Sequence, residues 1–199
     1  MARERMSAAD RRPLATRAAL SVFAESGYVG TSMTQVAQRL GVSQPYLFQL
    51  FDSKHALFVE CVELCYDLID ATIDELEDEA GATGGTLTLA ALGAAYAHLL
   101  ADESVLQFQL QAWAAACADD EIERTCRDRM TRLVERVSRL TDASEQDVDM
   151  FFARGALRIV RTAIRMPMPA ELDATIDYGG AAADAATAVT FLPPERPRG

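Results

Sequence analysis

The chain has 199 residues, half of them hydrophobic, and its 30 acidic and 19 basic side chains give a formal net charge of −11. This is ample material for a packed core, and it is too apolar for a disordered chain. No apolar run approaches the ~18 residues of a membrane span, and Met1–Met6 lacks a signal-peptide core, so the expectation is a cytoplasmic protein with no membrane partner.

The charge is unevenly distributed. Residues 1–55 hold seven basic and four acidic residues, a net of +3, which leaves −14 for the remainder. A basic head on an acidic body directs a polyanion to one end of the molecule. Residues 2–10 form a charged arm in which Arg3 and Arg5 are candidates for phosphate or minor-groove contact. A first helix is expected from Asp10, with Pro13 in its tolerant first turn, Leu14, Ala18, Val22 and Phe23 on its inner face, and Gly27 at its end. Tyr28, Thr31 and Ser32 follow in a loop, where their hydroxyls are candidate phosphate donors.

The stretch Thr31–Lys54 carries the densest local signals. Ser32 and Gln35 have the spacing of a capping box, and Met33, Val36, Ala37 and Leu40 share one face. Gly41 stops that helix, Ser43 caps the next, and Pro45 occupies its first turn. Leu47, Leu50 and Phe51 are expected to face inward, leaving Gln44, Tyr46 and Gln49 outward beside Pro45. A helix of about seven residues is ~10 Å long and suits a DNA major groove, where a glutamine amide matches adenine.

The run G-V-S-Q-P-Y-L-F-Q-L-F-D-S-K-H-A-L-F (residues 41–58) resembles the helix-turn-helix and following helix start of TetR-family transcriptional regulators. The preceding A-A-L-S-V-F-A-E-S-G-Y-V-G-T-S (residues 18–32) is similar to that family's first helix and loop. The chain departs from the family's pattern at Phe48, where many members have a Tyr whose hydroxyl touches a phosphate, and at Leu50, which replaces an aromatic or His. The resemblance implies an all-α homodimer that binds a double-stranded DNA operator and releases it to a small-molecule effector. It has an N-terminal three-helix helix-turn-helix domain (residues 1–54) and a larger helical effector-binding and dimerisation domain (residues 55–170). Residues 171–199 are expected to be a tail. Candidate DNA contacts are Gln44, Pro45, Tyr46 and Gln49 toward bases, with Tyr28, Thr31, Ser32, Ser43 and Lys54 toward phosphate or sugar.

Beyond Ser53 a long helix is expected to run to about Glu79, its acidic end (Asp74 to Glu79) solvated. Gly81–Gly85 then breaks the chain. Further helices are expected at about 86–101, 103–118, 120–141 and 144–166. Candidate pocket residues are Tyr96, His98, Phe108, Trp113, Cys117, Met130 and Phe152, although an aromatic stripe is more often plain core. Candidate pairing residues on the last helix are Val148, Phe151, Gly155, Ala156, Ile159, Val160 and Ala163. Neither His55 nor His98 stands in a metal or catalytic spacing, so no metal, cofactor or enzymatic activity is expected. Two alternatives follow from the residues. One is a thiol- or metal-responsive sensor built on Cys61 and Cys65, which share one helix face. The other is a helical enzyme or scaffold carrying a helix-turn-helix-like pair.

Overall fold

The computed structural model describes residues 8–169, and among them eight helices follow one another. They are α1 (Ala8–Gly30), α2 (Met33–Leu40), α3 (Gln44–Leu50), α4 (Lys54–Thr83), α5 (Leu89–Leu99), α6 (Glu103–Ala116), α7 (Asp120–Thr141) and α8 (Glu145–Ala163). The fold is all-α, and the arm with Arg3 and Arg5 and the tail 171–199 lie outside the described residues.

Most expected ends hold within a few residues, and two differ for a physical reason. α1 begins at Ala8, so Pro13 sits inside it, and the helix is kinked at Gly27, whose φ of 71° and ψ of 175° only glycine adopts readily. Leu14, expected on the inner face, is 59% exposed, while Ala15, Ala19, Leu20, Val22 and Phe23 are buried. The second difference is in α4, which continues through Gly81 to Thr83 and breaks only at Gly84, where φ is +68°. A glycine with helical φ weakens a helix without ending it; a left-handed one ends it.

The chain packs as two compact units, Met1–Asp67 with Glu103–Arg129 and Leu68–Asp102 with Met130–Gly199. The domain boundary expected from the sequence lies after Lys54, whereas this grouping joins the start of α4, α6 and the start of α7 to the helix-turn-helix. Aromatic packing within the first unit accounts for the difference. Phe58 lies 4.9 Å from Phe23 edge-to-face, 4.9 Å from Tyr28 and 5.2 Å from Phe108 (centroid distances). Burying each such ring stabilises by about 2–3 kcal/mol, with a further ~1 kcal/mol from favourable ring geometry.

In the second unit α5 packs on α8, with Gly155 providing space for the Tyr96 ring. Arg136 corrects the expectation of a solvated acidic end to α4. Its guanidinium is 3.1 Å from Asp70 and bonds Asp74 and Glu77 as well, so much of that acidic face is paired by α7. In the first unit Arg129 does the same with Glu63 and Asp67, each at 2.7 Å.

Candidate nucleic-acid interface

The α2–turn–α3 segment is built by short-range bonds that the sequence anticipates. Gln35 N–H donates to Ser32 Oγ (3.2 Å) and Ser32 N–H donates to Gln35 Oε1 (2.7 Å), completing the capping box. Gly41 takes the left-handed conformation (φ 67°, ψ 30°), and the Val42 N–H returns to the Ala37 carbonyl at 3.0 Å. Ser43 Oγ accepts the Tyr46 N–H at 3.3 Å, with Pro45 in the first turn of α3. Each cap contributes about 1 kcal/mol. Together they set the angle between the two helices before any distant contact forms.

On α3, Leu47 and Leu50 are buried, Tyr46 is half-buried, and Gln44, Pro45, Phe48 and Gln49 are exposed. Thr34 Oγ1 donates to Gln44 Oε1 at 3.2 Å, which orients that amide at the start of the helix. Tyr46 does not stand free. Arg11 Nη1 donates to its hydroxyl at 3.4 Å, with the guanidinium 5.7 Å from the ring centroid. Arg12 reaches the other end of α3. Its Nη1 donates to the Leu50 carbonyl (2.7 Å), its Nε donates to Glu60 Oε2 (3.2 Å), and its guanidinium lies 4.9 Å from the Phe51 ring. A cation on a C-terminal carbonyl stabilises the helix end. Arg39 on α2 makes a two-pronged pair with Glu25 on α1, at 3.0 and 2.8 Å.

The expected phosphate contacts divide into exposed and inward-facing groups. Ser32 and Ser43 are exposed and Tyr28 is half-buried. Burial, followed by the nearby Asp119, pushes the Tyr28 hydroxyl above its ordinary value, so it remains a protonated donor. Thr31 is only 2% exposed, with its hydroxyl against the Val22 carbonyl at 3.5 Å. Its hydroxyl therefore points into the protein. Lys54 Nζ donates to the carbonyls of Tyr28 (2.8 Å) and Thr31 (3.0 Å) and sits 4.5 Å from the Tyr28 ring centroid. It clamps the α1–α2 loop to the start of α4. Beside it, His55 Nε2 lies 3.1 Å from Asp119, which also caps α7 by accepting the Ile122 N–H at 3.0 Å.

Arg11, Arg12 and Phe48 belong to this surface and were not among the expected site residues. The two arginines meet partners 35 to 48 positions away, a separation no periodicity encodes. Phe48 was detectable as the residue departing from the family pattern on an otherwise amide-bearing face.

The expected pocket residues fall in different units. Phe108, Trp113 and Cys117 belong to the first, and Tyr96, His98, Met130 and Phe152 to the second. Phe108 is wholly buried against Phe58 and acts as core, Cys117 and His98 are exposed, and Tyr96 packs on Gly155. On α8, Val148 and Ile159 are buried within their own unit, which moves them from the expected pairing face to the interior. Phe151 and Gly155 are half-buried, while Ala156, Val160 and Ala163 are exposed. Also exposed are Met150 (47%), Leu157 (45%) and Ile164 (65%). With Ala153 and Val160 these three form a stripe at alternating spacings of three and four, the pattern of a helix seam.

Cys61 and Cys65 are buried, and burial raises both thiols, Cys65 to about 12. Such thiols are poor nucleophiles and poor metal ligands. Among the described residues no group of three or more His, Cys, Asp or Glu side chains could hold a metal ion. Nor is any helix among them long and apolar enough to cross a membrane.

Residues 15–61 match the model of bacterial regulatory proteins of the tetR family. Curated relatives include the HTH-type negative transcriptional regulator IcaR of the biofilm operon icaADBC, from Staphylococcus aureus strains Newman and COL. Each is 31% identical over 55 residues, covering 28% of this chain and 30% of the relative, so the chain spans under a third of the curated relatives it matches. Solved structures resemble the chain over most of its length. A chain described as a TetR-family transcriptional regulator from Mesorhizobium loti has a TM-score of 0.65 at 18% identity, covering 85% of this chain and 92% of that one. A transcriptional regulator from Pseudomonas aeruginosa PAO1 gives 0.59 at 19% identity, covering 80% and 82%. At these identities the structural likeness concerns the fold.

Proposed function

We infer that this chain, which carries the helix-turn-helix module of the tetR family of bacterial regulatory proteins, is a homodimeric transcriptional repressor of the cytoplasm. It leaves a palindromic operator when a small-molecule effector binds its C-terminal helices. The observation that carries this reading is the surface of α3, where Gln44, Pro45 and Gln49 stand exposed on a short helix capped and clamped at both ends. Amides so placed can pair with adenine N6 and N7 in a major groove. Tyr46, held by Arg11, adds a phenol at the edge of that face. Tyr28, Ser32 and Ser43 serve phosphate or sugar, while Lys54 clamps the α1–α2 loop and Thr31 orders it from within.

The exposed α8 stripe, a surface that a monomer would leave in water, supports pairing. A two-fold dimer would set the α3 helices to read half-sites about one helical turn apart. Because α4 is continuous from Lys54 to Thr83 and contributes to both units, it is a covalent route, leading straight into α3, by which an effector could displace the DNA-reading helices. Selection of bound fragments from random duplex DNA tests the proposal. The expected product is an inverted repeat with half-site centres 10–10.5 base pairs apart, or a multiple of that spacing. Failure to enrich any sequence at low salt, or enrichment of a single unrepeated site, counts against it. The effector is tested by screening metabolites for those that lower affinity for the selected duplex without unfolding the protein.

A further inference from the structure

Phe48 is 45% exposed on a helix whose two leucines, Leu47 and Leu50, are buried. Successive helical residues turn by about 100°, which fixes the order around α3. With Gln44 at zero, Phe48 lies at about 40°, Pro45 at about 100° and Gln49 at about 140°; Tyr46, Leu50 and Leu47 fall on the remaining arc. The outward strip therefore reads amide, phenyl, pyrrolidine, amide. Two apolar groups flanked by two amides are poorly solvated on a free protein. They do match one groove chemistry, in which adenine presents N6 and N7 to an amide while thymine presents a C5-methyl to a carbon surface.

We propose that Phe48, supported by Pro45, is a sequence-determining residue that packs against the C5-methyl group of a thymine in each half-site, adjacent to the base pairs read by Gln44 and Gln49. This deepens the operator-binding reading and rests on it. Phe48 has no hydroxyl, so it cannot donate a hydrogen bond to a phosphate and must contribute through apolar contact. The capping bonds at Ser43 and the Arg12 bond to the Leu50 carbonyl hold the helix bearing it, so the ring is presented on a rigid element.

The test uses the full chain and a duplex selected from random DNA by the wild-type protein. Each thymine of the half-site is replaced in turn by deoxyuridine, which removes the methyl group and leaves the hydrogen-bonding edge intact. At one position per half-site the wild-type protein should lose about fourfold in affinity, the value of one buried methyl group, and about fifteenfold when both half-sites are changed. Phe48→Ala should bind the thymine duplex more weakly and show no loss at that same position, whereas Phe48→Tyr, which keeps the ring, should retain the sensitivity. Because Phe48 is exposed, both variants should fold, and equal melting temperatures check this. Insensitivity of the wild-type protein to every uracil overturns this inference and leaves the DNA-binding reading intact. So does a uracil penalty that persists in Phe48→Ala, or a selected half-site without thymine. Failure of the wild-type protein to bind any duplex overturns both.

Discussion

Replacing Lys54 by Met keeps the aliphatic stem and removes the ammonium. The structure assigns that ammonium two hydrogen bonds, to the carbonyls of Tyr28 at 2.8 Å and Thr31 at 3.0 Å, and a place 4.5 Å from the Tyr28 ring centroid. A hydrogen bond involving a charged group contributes roughly 1.5–3 kcal/mol, and a partly exposed cation over an aromatic ring adds about 0.5–1 kcal/mol. Lys54 is half-buried and the contributions are not independent, so the expected loss is about 2–4 kcal/mol. With a urea slope of about 2–3 kcal/mol/M, the unfolding midpoint should fall by about 1 M. DNA affinity should fall too, because the Tyr28–Ser32 loop loses its anchor. A pure phosphate contact behaves differently. Stability would then change by less than about 0.5 kcal/mol, while affinity for every sequence dropped and the salt slope shrank by about one. That second pattern would refute the clamp.

Gly27→Ala places a Cβ at φ +71° and 2.7 Å from Gln111 Oε1. The Gln111 side chain can swing away, so the backbone term of about 1–3 kcal/mol should remain in a Gly27→Ala, Gln111→Ala double variant, as read by urea unfolding. The buried thiols predict an alkaline weakness. Burial raises Cys65 to about 12 and Cys126 to about 11, so the folded chain keeps protons that the unfolded chain loses near 9. Stability present below pH 9 should therefore decline as the pH climbs toward 12, and Cys65→Ala should flatten that decline in pH-dependent unfolding. In an alkylation time course at pH 8, exposed Cys117 should react well before Cys61 and Cys65. A double change, Leu157→Glu with Val160→Glu, puts charges on the α8 stripe. Sedimentation should shift from dimer to monomer and affinity for a two-half-site duplex should collapse, with α8 still helical by circular dichroism.

What was legible in the sequence was whatever nearby residues decide. The Ser32–Gln35 box, the left-handed Gly41 and the Ser43 cap with Pro45 act over three or four positions, where spacing alone dictates the bond. The same holds for helix type and for the inward turn of Val36 and Leu47, because a 3.6-residue period and a hydrophobic face suffice. The tertiary structure decided what depends on contacts between distant positions. It turned the Thr31 hydroxyl inward and used Lys54 as a loop clamp. It brought Arg11 to Tyr46 and Arg12 to Glu60, and it paired the α4 carboxylates with Arg129 and Arg136. It also sorted α8, whose apolar residues exceed one buried face, into an inner set with Val148 and Ile159 and an outer set with Leu157 and Val160. An amphipathic pattern states how much of a helix is apolar; only the neighbours packed against it determine which apolar residues are left facing water.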